Sequence, residues 1–143
     1  MQLDEKDIRI LNHLLQNSRV SMRELGRLVD MSAPAVTERV RQMESFGVIK
    51  GYTVEIDYEK AGYPISCMIE ATIKNGQYER FKKKIENQGN VEYCHRIAGQ
   101  ACFILKLHFR SLAEIEIFIN DFSDLAHTVT HIIFSNVETN QTL

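Results

Sequence analysis

Long apolar runs are absent from this 143-residue sequence. Its apolar runs are far shorter than the ~20 residues that a helix needs to span a bilayer. The acidic start MQLDEKDIRIL also lacks an apolar core of the signal-peptide type. With 44% hydrophobic and 25% charged residues, the composition is that of an ordinary globular protein. The sequence therefore predicts a cytoplasmic protein of one domain or two small ones, without a membrane partner.

Cysteine is scarce, and the motifs of the common enzyme classes are missing. Cys67, Cys94 and Cys102 are odd in number and have no CxxC spacing, which argues against a disulfide framework or a zinc finger. No P-loop, GxSxG, GxGxxG or HExxH is present, and the carboxylates are scattered, so neither an enzyme nor a bound cofactor is predicted.

Two features leave a metal or redox sensor as an alternative. His127 and His131 have HxxxH spacing, but on the strand predicted there they lie roughly 13 Å apart, too far to share one ion. Cys94 and Cys102 flank a predicted hairpin turn. A thiol site is one interpretation of that pair, and burial as small apolar residues is favoured over it.

The charge is asymmetric along the chain. The net charge is −2, yet the segment from Arg19 to Lys50 carries six basic and four acidic residues, a sum of +2. A basic face matters more for nucleic-acid binding than the total charge does, so the near-neutral total does not exclude DNA as a partner.

The first half of the chain predicts three short helices. Asp4 caps the first, Ser21 with Glu24 forms a capping box for the second, and Ser32 caps the third. Gly47 follows the third helix, where a left-handed residue is favoured. GVIKGYTVEID then predicts a short hairpin or single strand, a wing beside a helix-turn-helix.

The second half changes to a period of two. The pattern predicts strand, helix, strand, strand, helix and strand, a ferredoxin-like βαββαβ sandwich with helices on one face of an antiparallel sheet. Its second helix, opened by Ser111 and Glu114, is predicted to turn Leu112, Ile115, Phe118 and Phe122 inward. The predicted fold class is α+β: a DNA-binding domain over 1–51, a strand and linker over 52–64, and the sandwich over 65–143.

The free face of that sheet is predicted to be covered. Cys67, Ile69 and Ala71 form the predicted inward row of the first strand. Met68, Cys94 and Ile104 fall on the parity opposite the inward rows, and the last strand is apolar on both parities. A sheet with one wet face alternates more cleanly. An isologous homodimer is the favoured explanation, with cover by the N-terminal half as the alternative.

The third predicted helix, Ser32–Phe46, has a free face suited to the DNA major groove. At about 100° per residue, Val36, Val40 and Met43 form the packed stripe, and the opposite face begins with short side chains. Short chains let a helix backbone approach the groove floor, and a capped N-terminus favours a phosphate. The predicted DNA-contacting residues are Ser21, Arg23, Ser32, Ala33, Pro34, Thr37, Glu38, Arg41 and Lys50.

Other basic residues of this region have structural interpretations. Arg19 and Arg27 are interpreted as exposed charges without a DNA contact. For Arg39, a salt bridge to Glu24 or Glu44 and a DNA contact stay open as equal alternatives. A stand-alone small-molecule-binding module is the remaining alternative, and the basic helix pair argues against it.

Four motifs together resemble the Lrp/AsnC (feast/famine) family of transcription regulators, and the short Bacillus-type members most closely. They are Leu3, Asp4, Asp7, Ile10 and Leu11; Ser21 to Gly26; Ser32 to Glu44; and Gly47 to Tyr52. The resemblance covers nearly the whole chain. It implies a bacterial, nucleoid-associated regulator that binds double-stranded DNA as homodimers assembling to octamers, which bend or wrap the DNA.

The resemblance also implies an amino-acid effector site in the second domain. By position in the motif, its residues are Ala98, Gly99, Gln100, Ala101, Cys102, Thr128 and Thr130. The family commonly has an aspartate where this sequence has Cys102. A thiol does not replace a carboxylate as a partner for an ammonium group, so a weak response to common amino acids is predicted.

Overall fold

The computed structural model describes all residues, Met1–Leu143, and divides the chain into two compact units. The first unit comprises Met1–Glu55 with Val137–Leu143, and the second comprises Ile56–Asn136. None of the helices has the length and apolar character that crossing a lipid bilayer requires.

Three helices form the first unit: α1 (Glu5–Gln16), α2 (Met22–Leu28) and α3 (Ala33–Ser45). The predicted N-cap residues are confirmed, because Asp4, Ser21 and Ser32 each accept a backbone N–H three residues on. The predicted capping box at Ser21 is incomplete, because the Glu24 side chain accepts from Arg27 instead of from the backbone. Their apolar stripes meet in one core, whose buried members are Ile10, Leu11, Leu14, Leu25, Val29, Val36, Val40 and Met43.

The segment after α3 differs from the prediction. Val48 and Ile49 both donate to the carbonyl of Met43, at 2.8 and 3.1 Å, so the chain folds back on the helix end. No strand forms between Gly47 and Pro64. The alternating residues there find no neighbouring strand in this chain, and Val54 is 76% exposed. The predicted hairpin or strand, and with it the wing, is therefore wrong for the single chain.

The second unit is the predicted ferredoxin-like sandwich, so the α+β fold class is confirmed. Its elements are β1 (Ile65–Ile73), α4 (Tyr78–Glu86), β2 (Val91–Arg96), β3 (Phe103–Phe109), α5 (Leu112–Phe122) and β4 (Ala126–Ile132). The four strands pair antiparallel in the order β2-β3-β1-β4.

One face of the sheet, called the inner face here, packs on α4 and α5. Cys67, Ile69 and Ala71 of β1 are fully buried there, as predicted. Phe81 of α4 and Phe122 of α5 complete that core, with ring centroids 5.7 Å apart. The prediction failed for Leu112, which is 64% exposed.

The opposite face, called the outer face here, carries Met68 and Glu70 of β1, Ile104 and Lys106 of β3, and Val129 of β4. Cys94, predicted for this face, lies on the inner face opposite Leu105. A register shift between Val91 and Tyr93 causes the difference, because one extra residue reverses the alternation that follows it. Met68 and Ile104 are half-buried, and Val129 is 46% exposed.

Candidate nucleic-acid interface and ligand loop

The turn between α2 and α3 is unusually close. A Cβ built on Gly26 would lie 2.6 Å from the carbonyl oxygen of Met31, so only glycine fits there without a shift of the backbone. Asp30 adopts a left-handed φ of 56° at the same turn. Gly26 therefore sets how closely the start of α3 approaches α2. In the sequence this glycine stands out only as the last residue of the Ser21 to Gly26 motif.

A groove of about 420 Å³ lies between the starts of α2 and α3. Its lining residues are Ser21, Arg23, Glu24, Arg27, Met31 and Ala33. Three of the predicted DNA-contacting residues, Ser21, Arg23 and Ala33, are thus brought together. Two helix N-termini open onto one concave surface, an arrangement that favours an anionic group such as a phosphate.

The basic residues of this groove differ in their partners. Arg27 donates to both carboxylate oxygens of Glu24, and its charge is offset there. Arg23 is exposed and makes no ion pair in the structure. Arg23 is therefore the uncompensated positive charge of the groove.

The free face of α3 is arranged as its pattern predicts. Val36, Val40 and Met43 are buried, whereas Pro34, Glu38 and Arg41 are exposed. The side-chain oxygen of Ser32 accepts from the amide of Ala35 at 3.4 Å, and the proline occupies the first turn. Proline costs little at that position because first-turn amides have no helical partner.

The polar side chains on this face make few interactions within the protein. Thr37 donates its hydroxyl to the carbonyl of Ala33 at 2.8 Å, which leaves its oxygen able to accept. Arg41 lies 3.6 Å from Glu38 in an exposed pair, one that contributes little and exchanges readily. Lys50 is exposed and lies after α3, outside any strand.

Arg39 has a structural partner that the sequence did not indicate. Its guanidinium donates to Asp4 and Asp7, at 2.7 Å each, and the prediction of Glu24 or Glu44 as partner is wrong. The pKa of the Asp4 carboxyl is lowered, first by a hydrogen bond from the Asp7 amide and next by Arg39. The pair ties α3 to the start of α1.

The predicted effector residues form two groups at one end of the sheet. Ala98, Gly99 and Gln100 are exposed in the bend after β2, and Ala101 is buried. The amide of Cys102 donates to the carbonyl of Ala71 at 2.9 Å. Thr128 is the cross-strand partner of the same Ala71, and Thr130 faces Ile69. The bend and Thr128 therefore flank Ala71 on its two sides.

Two polar groups in this region are chemically distinctive. The side-chain oxygen of Thr130 is buried and has no hydrogen-bond partner. The Cys102 sulfur lies 3.5 Å from the Tyr78 hydroxyl, and Arg96 stacks over the Tyr78 ring at 4.3 Å. The pKa of the Cys102 thiol is lowered, chiefly by the Tyr78 hydrogen bond, with the Arg96 charge adding to the effect.

A hydrogen-bonded chain of serine, histidine and glutamate also occurs on the outer face. His108 lies 2.8 Å from the Ser66 hydroxyl and 2.6 Å from Glu92, and the Tyr58 ring stacks on its imidazole at 3.4 Å. His108 is only 3% exposed, and none of these residues lines the groove between the starts of α2 and α3. The arrangement is that of an internal polar network.

Comparison with known proteins matches both units to domains of the same family. Residues 3–44 match the AsnC-type helix-turn-helix domain, and residues 66–143 match the Lrp/AsnC ligand binding domain. The chain is 55% identical over 139 residues to the HTH-type transcriptional regulator LrpC of Bacillus subtilis, covering 97% of this chain and 96% of that protein. It is 32% identical to LrpA of the same organism, over 92% of this chain and 97% of that one.

Solved structures of similar proteins have the same fold as this chain. The structure of B. subtilis LrpC superposes with a TM-score of 0.93, covering 97% of this chain and 99% of that one. A transcriptional regulator of Neisseria meningitidis, solved as a complex with L-Met, has a TM-score of 0.91 at 21% identity, over 99% and 96% of the two chains, and so shares the fold.

Proposed function

Because the chain belongs to the Lrp/AsnC family of transcriptional regulators, we propose that it binds double-stranded DNA through α3 and thereby regulates transcription. Family members are regulators, not enzymes. The observation that carries the proposal is the exposed, short-chained start of α3 beside the groove that contains Arg23. A helix of this kind suits the major groove of DNA. A DNA-binding function further leads us to propose that the protein is cytoplasmic and associated with the nucleoid.

The proposed contacts are of two kinds. Thr37, Glu38 and Arg41 project from the middle of α3, where side chains reach base edges. Arg41 suits a guanine edge, and Glu38 suits the amino group of cytosine. Phosphate contacts fall to polar residues around the two helix starts and after α3: Ser21, Arg23, Ser32 and Lys50. The short side chains of Ala33 and Pro34 let the start of α3 approach the groove closely.

A gel-shift titration across salt concentrations tests the proposed interface. Arg41→Ala is expected to lower affinity by a factor of about 5 to 150, the equivalent of ~1–3 kcal/mol for a base contact. Arg80→Ala, on α4, is the matched control, because that arginine is also exposed and paired with a carboxylate. Unchanged affinity in Arg41→Ala would remove this residue from the interface.

We propose further that two copies pair through the outer face, and that such dimers assemble to octamers able to bend or wrap DNA. The support is the outer face itself, where the half-buried Met68 and Ile104 and the exposed Val129 form an apolar centre. Isologous pairing is the commonest way to cover such a face. Sedimentation of the full chain tests it, and a monomer at micromolar concentration would refute it.

The effector proposal concerns the second unit, which matches a ligand binding domain. We propose that Ala98, Gly99, Gln100, Ala101 and Cys102, with Thr128 and Thr130, form a small-molecule site. The unpartnered hydroxyl of Thr130 supports it, since a buried hydroxyl without a partner is costly. Cys102 gives no carboxylate for an ammonium group, so common amino acids are expected to raise the melting temperature little. A large shift with any one of them would contradict this expectation.

A further inference from the structure

Histidine is concentrated on the outer face of the sheet. The chain has five histidines, and the register places four of them there: His95, His108, His127 and His131. Their cross-strand partners are Ile104, Ser66, Thr72 and Met68 respectively. The fifth, His13, lies on α1. Histidine is the side chain whose ordinary pKa, about 6.5, falls within the physiological range. A face rich in histidine can therefore change its charge between neutral and mildly acidic pH.

Two of the four already face a carboxylate. His131 lies 2.8 Å from Glu70, and His108 lies 2.6 Å from Glu92, which also lies 3.4 Å from Lys106. A proton on either imidazole is therefore offset within the same protomer.

The other two lack such a partner. His95 stacks on the Tyr93 ring at 4.8 Å and lies opposite Ile104. His127 lies opposite Thr72. Both imidazoles are exposed, and neither makes a hydrogen bond or an ion pair with a carboxylate. They stand on the two edge strands, on either side of the apolar centre.

Protonation reverses the sign of the outer face. At neutral pH its ionised groups are Lys106 against Glu70 and Glu92, one positive charge against two negative ones. Protons on His95 and His127 add two positive charges, and the net charge changes from one negative to one positive. The net repulsion between two copies keeps its magnitude, so the relevant change is the appearance of two cations without a carboxylate partner. Protons on all four imidazoles make it three positive. An isologous interface contains the same patch twice, so every such charge is doubled.

We propose that the outer face is an acid-sensitive self-association surface, in which protonation of His95 and His127 weakens pairing with a second copy of the chain. The inference rests on the proposed dimer and adds its regulation. Burial of an unpaired imidazolium against another copy is unfavourable, whereas a neutral imidazole is tolerated. Association is then strongest where both imidazoles are neutral and weakens as acid protonates them.

Sedimentation of the full chain at pH 7.5 and 5.5 tests the proposal. The dissociation constant of the wild-type dimer is expected to rise at least about tenfold at pH 5.5, because a symmetric interface contains each of the two imidazoles twice. The double variant His95→Gln with His127→Gln is expected to change less than about threefold. His131→Gln is the matched control and keeps the wild-type pH dependence, because Glu70 already offsets its charge.

Circular dichroism at both pH values establishes that each variant is folded. A wild-type dissociation constant that does not change with pH, or a double variant as pH-sensitive as wild type, overturns the acid-sensitivity while leaving the dimer in place. A wild-type chain that is already monomeric at pH 7.5 overturns the dimer itself, and with it this inference.

Discussion

Arg39 donates to Asp7 at 2.7 Å and thereby joins the middle of α3 to the first turn of α1. Asp7 is only 3% exposed, and it also accepts from the backbone amide of Asp4 at 3.0 Å. A carboxylate this well buried requires its partners, since an unpaired buried charge is costly. α3 is thus held against the start of α1 by a largely buried ion pair.

Removal of Arg39 is predicted to destabilise the first unit. Arg39→Ala leaves the Asp7 carboxylate buried without its cation, and the free energy of unfolding is expected to fall by about 2–3 kcal/mol. Arg27→Ala is the control: its pair with Glu24 is fully exposed and is expected to contribute little to stability. Denaturant unfolding followed by circular dichroism measures both, and an equal decrease in the two variants would contradict the structural role of Arg39.

Asp4, the second carboxylate that accepts from Arg39, makes stability depend on acid pH. The folded-state pKa of Asp4 is lowered from its ordinary value of 3.8, so the carboxylate favours folding above that value. This contribution is lost as the pH falls below 3.8 and through the lower folded pKa. Unfolding curves between about pH 5 and 2 should therefore show a smaller acid-induced decrease in stability for Asp4→Asn than for wild type.

Gly26→Ala is predicted to disturb the turn before α3. The added methyl would lie 2.6 Å from the carbonyl oxygen of Met31, and backbone atoms cannot move aside cheaply. Alanine gains about 1 kcal/mol in helix propensity, but overpacking is expected to outweigh it, with a net destabilisation of about 1–3 kcal/mol. Gly51→Ala is the control, because nothing lies within 4 Å of its Cβ position. Thermal melting compares the two, and a stabilised Gly26→Ala would contradict the prediction.

The features that the sequence predicted are those set by local periodicity. The buried stripe of Val36, Val40 and Met43 follows from the helical period, and the inward row of Cys67, Ile69 and Ala71 follows from the period of two. These patterns hold because each residue's face depends only on its near neighbours along the chain.

The features that it missed depend on distant parts of the chain. Cys94 lies on the inner face and not on the predicted outer face, because the register shifts just before it in β2. Nothing in the composition of the strand indicates that shift. The partners of Arg39 lie 32 and 35 residues away, at Asp7 and Asp4, beyond the reach of helical spacing. The exposed Val54 shows that strand-like alternation forms no strand where the chain supplies no pairing edge.

Arg23→Ala is predicted to reduce the salt dependence of DNA binding. Arg23 is the uncompensated cation of the groove between α2 and α3, so the substitution is expected to remove one phosphate interaction per protomer. The slope of log affinity against log salt should fall in magnitude by about 0.9 for each phosphate that is no longer neutralised. Lys82→Ala, in an exposed pair with Glu79 on α4, should leave the slope unchanged. Equal slopes for wild type and Arg23→Ala would place this residue outside the interface.

Cys102 is predicted to be the most reactive thiol of the three. Its pKa is lowered, chiefly by the hydrogen bond with Tyr78, whereas burial raises the pKa of Cys67 and of Cys94. A thiol with a lower pKa has a larger thiolate fraction at neutral pH, and the thiolate is the species that alkylates. Iodoacetamide at about pH 7.5 should therefore modify Cys102 first, as read by peptide mass mapping.

Tyr78→Phe removes the hydrogen bond and should slow that reaction, while Tyr63→Phe, which affects only the contact with Arg110, should not. Faster labelling of Cys94 or Cys67 in the folded protein would show that the Tyr78 hydrogen bond does not activate this thiol.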